Sequence, residues 1–105
     1  MRIHRLVKQL IVETCKDVFG ETSRVWLFGS RADDTKKGGD IDLYIETDLM
    51  HVVEAKIEFI VRIKEVIGDQ KIDVVTHKRH NPQPTIGIIA KEEGVELTDG
   101  ETIFR

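Results

Sequence analysis

The sequence predicts an α/β protein: a small mixed β-sheet with helices packed on one face. Three observations predict it. Stretches with helical apolar spacing alternate with short β-rich runs, in the order α-β-β-α-β-α-β. Glycines stand where these runs stop, at Gly20, Gly29, Gly68 and Gly94. The run Asp40–Ile45 alternates, so Ile41, Leu43 and Ile45 share one sheet face while Asp40, Asp42 and Tyr44 share the other. Helices then cover only the first face, and the face with the aspartates stays open.

Each element has its own signal. Residues 3–19 place Ile3, Leu6, Val7, Leu10, Ile11, Cys15, Val18 and Phe19 at helical spacing, and Gly20 stops them. The run Arg24–Phe28 reads as a strand that ends at Gly29. A polar loop over 31–39 follows, with Gly38-Gly39 marking a turn. Asp48 is positioned to cap a helix over 49–67 whose apolar stripe is Leu49, Val52, Val53, Ile57, Ile60, Ile63, Val66 and Ile67. Lys71–Thr76 is a further strand, with Ile72 and Val74 toward the core and Asp73 opposite. Residues 82–93 read as a short helix with Pro84 in its first turn and Ile86, Ile89 and Ala90 inward. The tripeptides "VEL" (95–97) and "TIF" (102–104) read as short edge strands.

The 105 residues fit one domain, read as spanning 1–105. The chain is 40% hydrophobic and 33% charged, and has no apolar run near the roughly 18 residues a membrane span needs. The N-terminal stretch reads as an amphipathic helix and not a signal peptide, which makes the cytoplasm the expected location. A formal net charge of −3 argues against a general nucleic-acid binder. Cys15 is the only cysteine; it excludes an internal disulfide and shares a helical face with Ile11 and Val18, as a buried small hydrophobe would.

Aspartate is depleted in strands, yet Asp40, Asp42 and Asp73 all sit on strand-like runs. If the two strands are neighbours, the three carboxylates converge. Two unit charges about 4 Å apart repel by about 1 kcal/mol in water and by about 4 kcal/mol at an effective dielectric near 20. A bound cation reverses that sign, and a few hard oxygens with room for phosphate are what Mg²⁺ prefers. Gly29-Ser30 supplies the complementary half. A glycine at a strand end lets backbone N–H groups turn toward an anion, Ser30 adds a hydroxyl, and Arg31 adds a fork of donors. An isolated Gly-Ser is an ordinary turn. Followed after nine intervening residues by Asp-x-Asp, it arises by chance in about one chain of this size in a thousand, at about 5% usage per residue.

The stretch "GSRADDTKKGGDIDL" resembles the signature of the DNA polymerase β nucleotidyltransferase superfamily, and most closely the minimal nucleotidyltransferases. Those are small proteins that often serve as the antitoxin partner of a HEPN-domain ribonuclease toxin. The resemblance runs from the leading helix through "KIDVVT" and implies a polymerase β palm-like nucleotidyltransferase fold. It implies that Gly29, Ser30 and Arg31 hold the phosphates of a nucleoside triphosphate. It further implies that Asp40, Asp42 and Asp73 are the catalytic residues and hold two Mg²⁺ ions. The implied reaction transfers AMP from ATP to a hydroxyl, a tyrosine of the toxin in related antitoxins, and so silences it. Gly39 departs from the pattern, because many relatives have Ser there. Little chain remains for an acceptor-binding domain, so the expected acceptor is a partner protein. Two alternatives stand: a non-catalytic antitoxin that binds and blocks its toxin, and a transferase acting on a small-molecule or RNA hydroxyl.

Other features carry less. Lys36 and Lys37 read as solvated loop charges, His4 and His51 as helix-surface residues, and Trp26 as core. The basic turn 76–82 offers a contact for nucleotide or an acidic partner, and His77 and His80 have a zinc-like spacing without a third ligand.

Overall fold

A computed structural model describes residues 3–32 and 39–99. Lys36, Lys37, Gly38 and the "TIF" tripeptide, all singled out in the sequence, lie outside the described residues. The elements follow the expected order: α1 (Arg5–Phe19), β1 (Arg24–Phe28), a 3₁₀ turn (Gly29–Ala32), β2 (Ile41–Thr47), α2 (Val52–Ile67), β3 (Ile72–Lys78), α3 (Thr85–Glu93) and β4 (Val95–Glu96).

The strands form one mixed sheet in the order β3-β2-β1-β4. Strands β1 and β2 are antiparallel, with Phe28 opposite Asp42 and Trp26 opposite Tyr44. Helix α2 provides the crossover that a parallel pair requires, and β2 and β3 run parallel with Asp42 opposite Asp73. The two-residue β4 closes the β1 edge, where Glu96 takes both ends of the Arg24 fork at 2.8 and 2.9 Å.

Helix α1 starts where His4 accepts the Leu6 N–H at 3.0 Å, so His4 is a cap and not an idle surface residue. Its stripe Ile11, Cys15 and Phe19 is fully buried against Ala55, Phe59 and Ile63 of α2. Both helices cover the sheet face that carries Val25, Leu27, Ile41, Leu43, Ile45, Ile72 and Val74. The Phe19 and Phe59 rings meet at 5.7 Å, tilted by 58°.

Three expectations change. Asp48 does not cap α2: its carboxylate accepts from Arg79 at 2.7 Å and from Thr22 at 3.3 Å, and the helix begins later, at Val52. A charge-assisted bond to a guanidinium outcompetes a backbone cap. The stripe assigned to α2 is too wide for one face, because Val52 and Val53 stand about 100° apart on a helix. Phe59, Ile63 and Ala55 go inward, while Val53, Ile57 and Val66 face solvent.

The third change concerns α3. Helices α1 and α2 build the expected single covered face, but α3 lies across the opposite face, over Trp26 and Tyr44. Its inward residues are Gly87 and Ala90; Ile86 is half-buried and Ile89 is exposed. A Cβ added at Gly87 would stand 2.3 Å from the Tyr44 hydroxyl, so the close approach selects the smallest residues of the helix and not the most apolar. The aspartate face is therefore roofed at its Tyr44 end and open at its Asp42 end, where Asp73 is exposed and Asp42 half-buried.

Under α3 lies a polar network. Tyr44 hydrogen-bonds His77 Nδ1 at 2.7 Å, and His77 Nε2 donates to the Asn81 carbonyl at 3.0 Å. Lys91 reaches down from α3 to the buried Glu46 carboxylate, and its ammonium also sits 4.9 Å from the Trp26 ring centroid. Among the described residues every buried side-chain nitrogen and oxygen has a partner.

Candidate active site

The site grows from the place where β1 stops. Phe28 is the last strand residue and stands opposite Asp42, so the following turn is delivered to the Asp42 side chain. Gly29 adopts φ +77°, a left-handed conformation that glycine alone takes without cost. A Cβ there would lie 2.3 Å from Asp42 Oδ2. The turn is thus pressed onto the carboxylate, and only a residue without a side chain fits between them.

The far end of the loop returns to the same spot. Gly39 sits at φ +92°, and a Cβ on it would stand 1.8 Å from Ser30 Oγ. Arg31 Nε donates to the Gly39 carbonyl at 3.2 Å. The 3₁₀ turn and the start of β2 are therefore clasped together around Ser30. The departure noted in the sequence has its physical reason here: a serine side chain at position 39 would occupy the space of the Ser30 hydroxyl.

Asp42 and Asp73 are register partners on parallel strands, which points both carboxylates to the open face, side by side. The Asp42 carboxyl is held above its ordinary pKa, first by burial, then by the charges of Asp73 and Asp40 and a shared hydrogen bond with Asp73; Lys71 partly opposes this. Asp40 forms an ion pair with Lys71 at 3.6 Å. Both partners are well exposed, so water screens that pair and its energy is small. Among the described residues, no three His, Cys, Asp or Glu side chains are arranged as a ready metal-binding group. The fold therefore joins Asp42 with Asp73 and sets Gly29 on Asp42, while Asp40 acts on the pair from the start of β2.

Two contributions were not read from the sequence. Lys71 supplies the positive charge that tempers the acidic pair; its position directly before "ID" was a usable signal. Helix α3 walls the site on the Tyr44 side, which required knowing which face it covers. The basic turn is used otherwise than expected. Arg79 bonds Asp48 and the Thr22 carbonyl, each at 2.7 Å, and so ties β3 to the α1–β1 connection.

A glycine-serine strand end thus lies against paired carboxylates on a mixed sheet. The family model described as "Polymerase beta, Nucleotidyltransferase" matches residues 9–99, from the middle of α1 past β4. The chain belongs to this family of nucleotidyltransferase domains. No curated protein matches the chain. Among the described residues no helix is long and apolar enough to cross a membrane.

Proposed function

We propose that this protein is a minimal nucleotidyltransferase that transfers AMP from ATP to a tyrosine hydroxyl of a HEPN-domain toxin, and thereby acts as its antitoxin. One observation carries the reading: Asp42 and Asp73 stand side by side on the open face, with the Gly29 turn seated on Asp42. The donor set fits a divalent cation: burial first, and then the charges of Asp73 and Asp40, raise the Asp42 pKa, and a cation among these hard carboxylate oxygens offsets the repulsion.

Asp42 and Asp73, with Asp40 at the strand entrance, would hold Mg²⁺. When bound, Mg²⁺ neutralises triphosphate charge and lowers the pKa of the attacking hydroxyl. The turn does the orienting: backbone N–H groups after Gly29 and the Ser30 hydroxyl donate to phosphate oxygens, and Arg31, which clasps Gly39, brings its positive charge to the same turn. Asp73, the more exposed of the pair, receives the acceptor's proton. The acceptor oxygen then bonds to the α-phosphorus as the bond to pyrophosphate breaks, so the nucleotide is transferred and pyrophosphate leaves. The acidic balance of the chain, 19 Asp and Glu against 16 Lys and Arg, favours a protein acceptor over a nucleic-acid one.

The test is to incubate the protein with α-labelled ATP, Mg²⁺ and a HEPN-type toxin encoded beside it. Label on a toxin tyrosine, lost with Asp42→Asn, is the expected result. Absence of label, or transfer that survives Asp42→Asn, would overturn it. A second reading is neutralisation by binding alone, favoured by the engagement of Asp40 with Lys71 and the lack of a ready three-carboxylate group. Under that reading Asp42→Asn protects cells from the toxin as well as the wild-type protein does.

A further inference from the structure

Three carboxylates meet where β2 begins, and the fold treats one of them differently. Asp42 and Asp73 are held together, as register partners that share a hydrogen bond. Asp40 stands apart from that pair. Its Oδ2 instead lies 3.6 Å from Lys71 Nζ. The backbone sets this contact: the Ile41 N–H donates to the Lys71 carbonyl at 3.1 Å, and Ile41 stands opposite Ile72. Lys71 is therefore fixed beside Asp40 at the entrance of the two parallel strands. Each lies two residues before its neighbour in the carboxylate pair, a step of about 6.6 Å along a strand. The Lys71 charge is still felt at Asp42. Among the described residues, no third carboxylate completes a ready metal-binding group with Asp42 and Asp73.

We propose that Lys71 is a built-in counter-ion: it holds Asp40 in the metal-free fold, and a divalent cation gains its third carboxylate by taking Asp40 from it. The proposal rests on the function proposed above only in taking Asp40, Asp42 and Asp73 as the carboxylates that a divalent cation binds. Charge drives the exchange. Asp40 adds a further negative charge beside a pair that already repels, and the Lys71 ammonium offsets it. A divalent ion offsets it twice as strongly at the same distance, whereas a monovalent ion gains nothing over the tethered ammonium. Exposure lets the exchange happen. The two side chains are 67% and 43% exposed, so water screens the pair and it yields readily. A buried pair would lock Asp40 in place. Lysine suits the task, because its ammonium is a point charge on a flexible stem and lacks the two-pronged grip that arginine has on a carboxylate.

The test is Mg²⁺ binding to the full protein, without nucleotide or acceptor, followed by titration calorimetry at low salt. Lys71→Met removes the charge at an exposed position, and Lys71→Gln serves as a second neutral variant; circular dichroism checks that both are folded. Each should tighten Mg²⁺ binding about fivefold, the upper end for an exposed ion pair. Lys71→Arg, which keeps the charge, should not tighten it. The gain should disappear in the Asp40→Asn background, where no carboxylate is left to release. The proposal is overturned if the neutral variants bind Mg²⁺ no better than the wild type, or if Lys71→Arg binds it as tightly as they do. A gain that persists with Asp40→Asn also overturns it, since Lys71 would then be a general repulsive charge. If no variant binds Mg²⁺, it fails together with the metal site. Loss of the proposed transfer with these Mg²⁺ affinities intact would sink the reaction and leave the counter-ion standing.

Discussion

Asp42 has its carboxyl pKa raised by burial and by two neighbouring carboxylates, which is a cost the metal-free fold carries. An unfolded chain gives up this proton first, so the penalty is present above the ordinary carboxylate pKa and disappears as pH falls below it. Asp42→Asn should therefore abolish transfer while raising metal-free stability at pH 7, with no gain near pH 3. Urea melts at the two pH values check this, and a variant that is no more stable at pH 7 would contradict it. Gly39→Ala meets a left-handed backbone worth about 1–2 kcal/mol and pushes the Ser30 hydroxyl aside, so KM for the nucleotide should rise. Cys15 is fully buried and its thiol is pushed up to about 11, so it should resist thiol-specific reagents at pH 8 until the protein unfolds. At this scale the sequence was legible where residue type contradicted its setting, as with aspartates in strands. The clasp of Arg31 on Gly39 was not legible, because it depends on the two ends of a loop meeting in space.

Among the elements, α3 shows most clearly how packing differs from periodicity. Its spacing marks a helix, but the Tyr44 hydroxyl beneath it decides which side turns inward, and it admits only Gly87 and Ala90. Gly87→Ala should destabilise the protein by about 1–3 kcal/mol, the usual cost of overpacking, although alanine is the better helix former. Tyr44→Phe removes the donor to His77 Nδ1 and should cost about 1–3 kcal/mol for the buried acceptor left unpaired. Thermal melts of both variants measure this. The strands and α1 were readable because one period governed each of them. The start of α2 was not, since Arg79, distant in sequence, draws Asp48 away from the cap position. Nor was the division of α2 into a core face and a bare face, because apolar content alone does not say how many neighbours a helix has.

For the whole molecule, the two sides of the sheet divide the labour. One side holds α1, α2 and the main apolar core; the other holds the carboxylates at one end and the α3 network at the other. Metal binding at the carboxylates should stabilise the native state by mass action, so added Mg²⁺ should raise the melting temperature. Asp42→Asn or Asp73→Asn should remove that shift, whereas Ile57→Ser should keep it. An Mg²⁺ response that survives both aspartate substitutions would place the ion elsewhere.

The parallel pairing of β2 with β3 also has a temporal meaning. Asp42 and Asp73 meet only after the whole of α2 has been made and has folded back, a non-local closure of the kind that forms slowly. A chain still emerging from the ribosome has its glycine-serine turn and its first two aspartates well before Asp73 arrives. Such a nascent chain holds half a site. On the proposed function, competence for transfer therefore waits for β3 to join β2, whatever the earlier part of the chain has already formed.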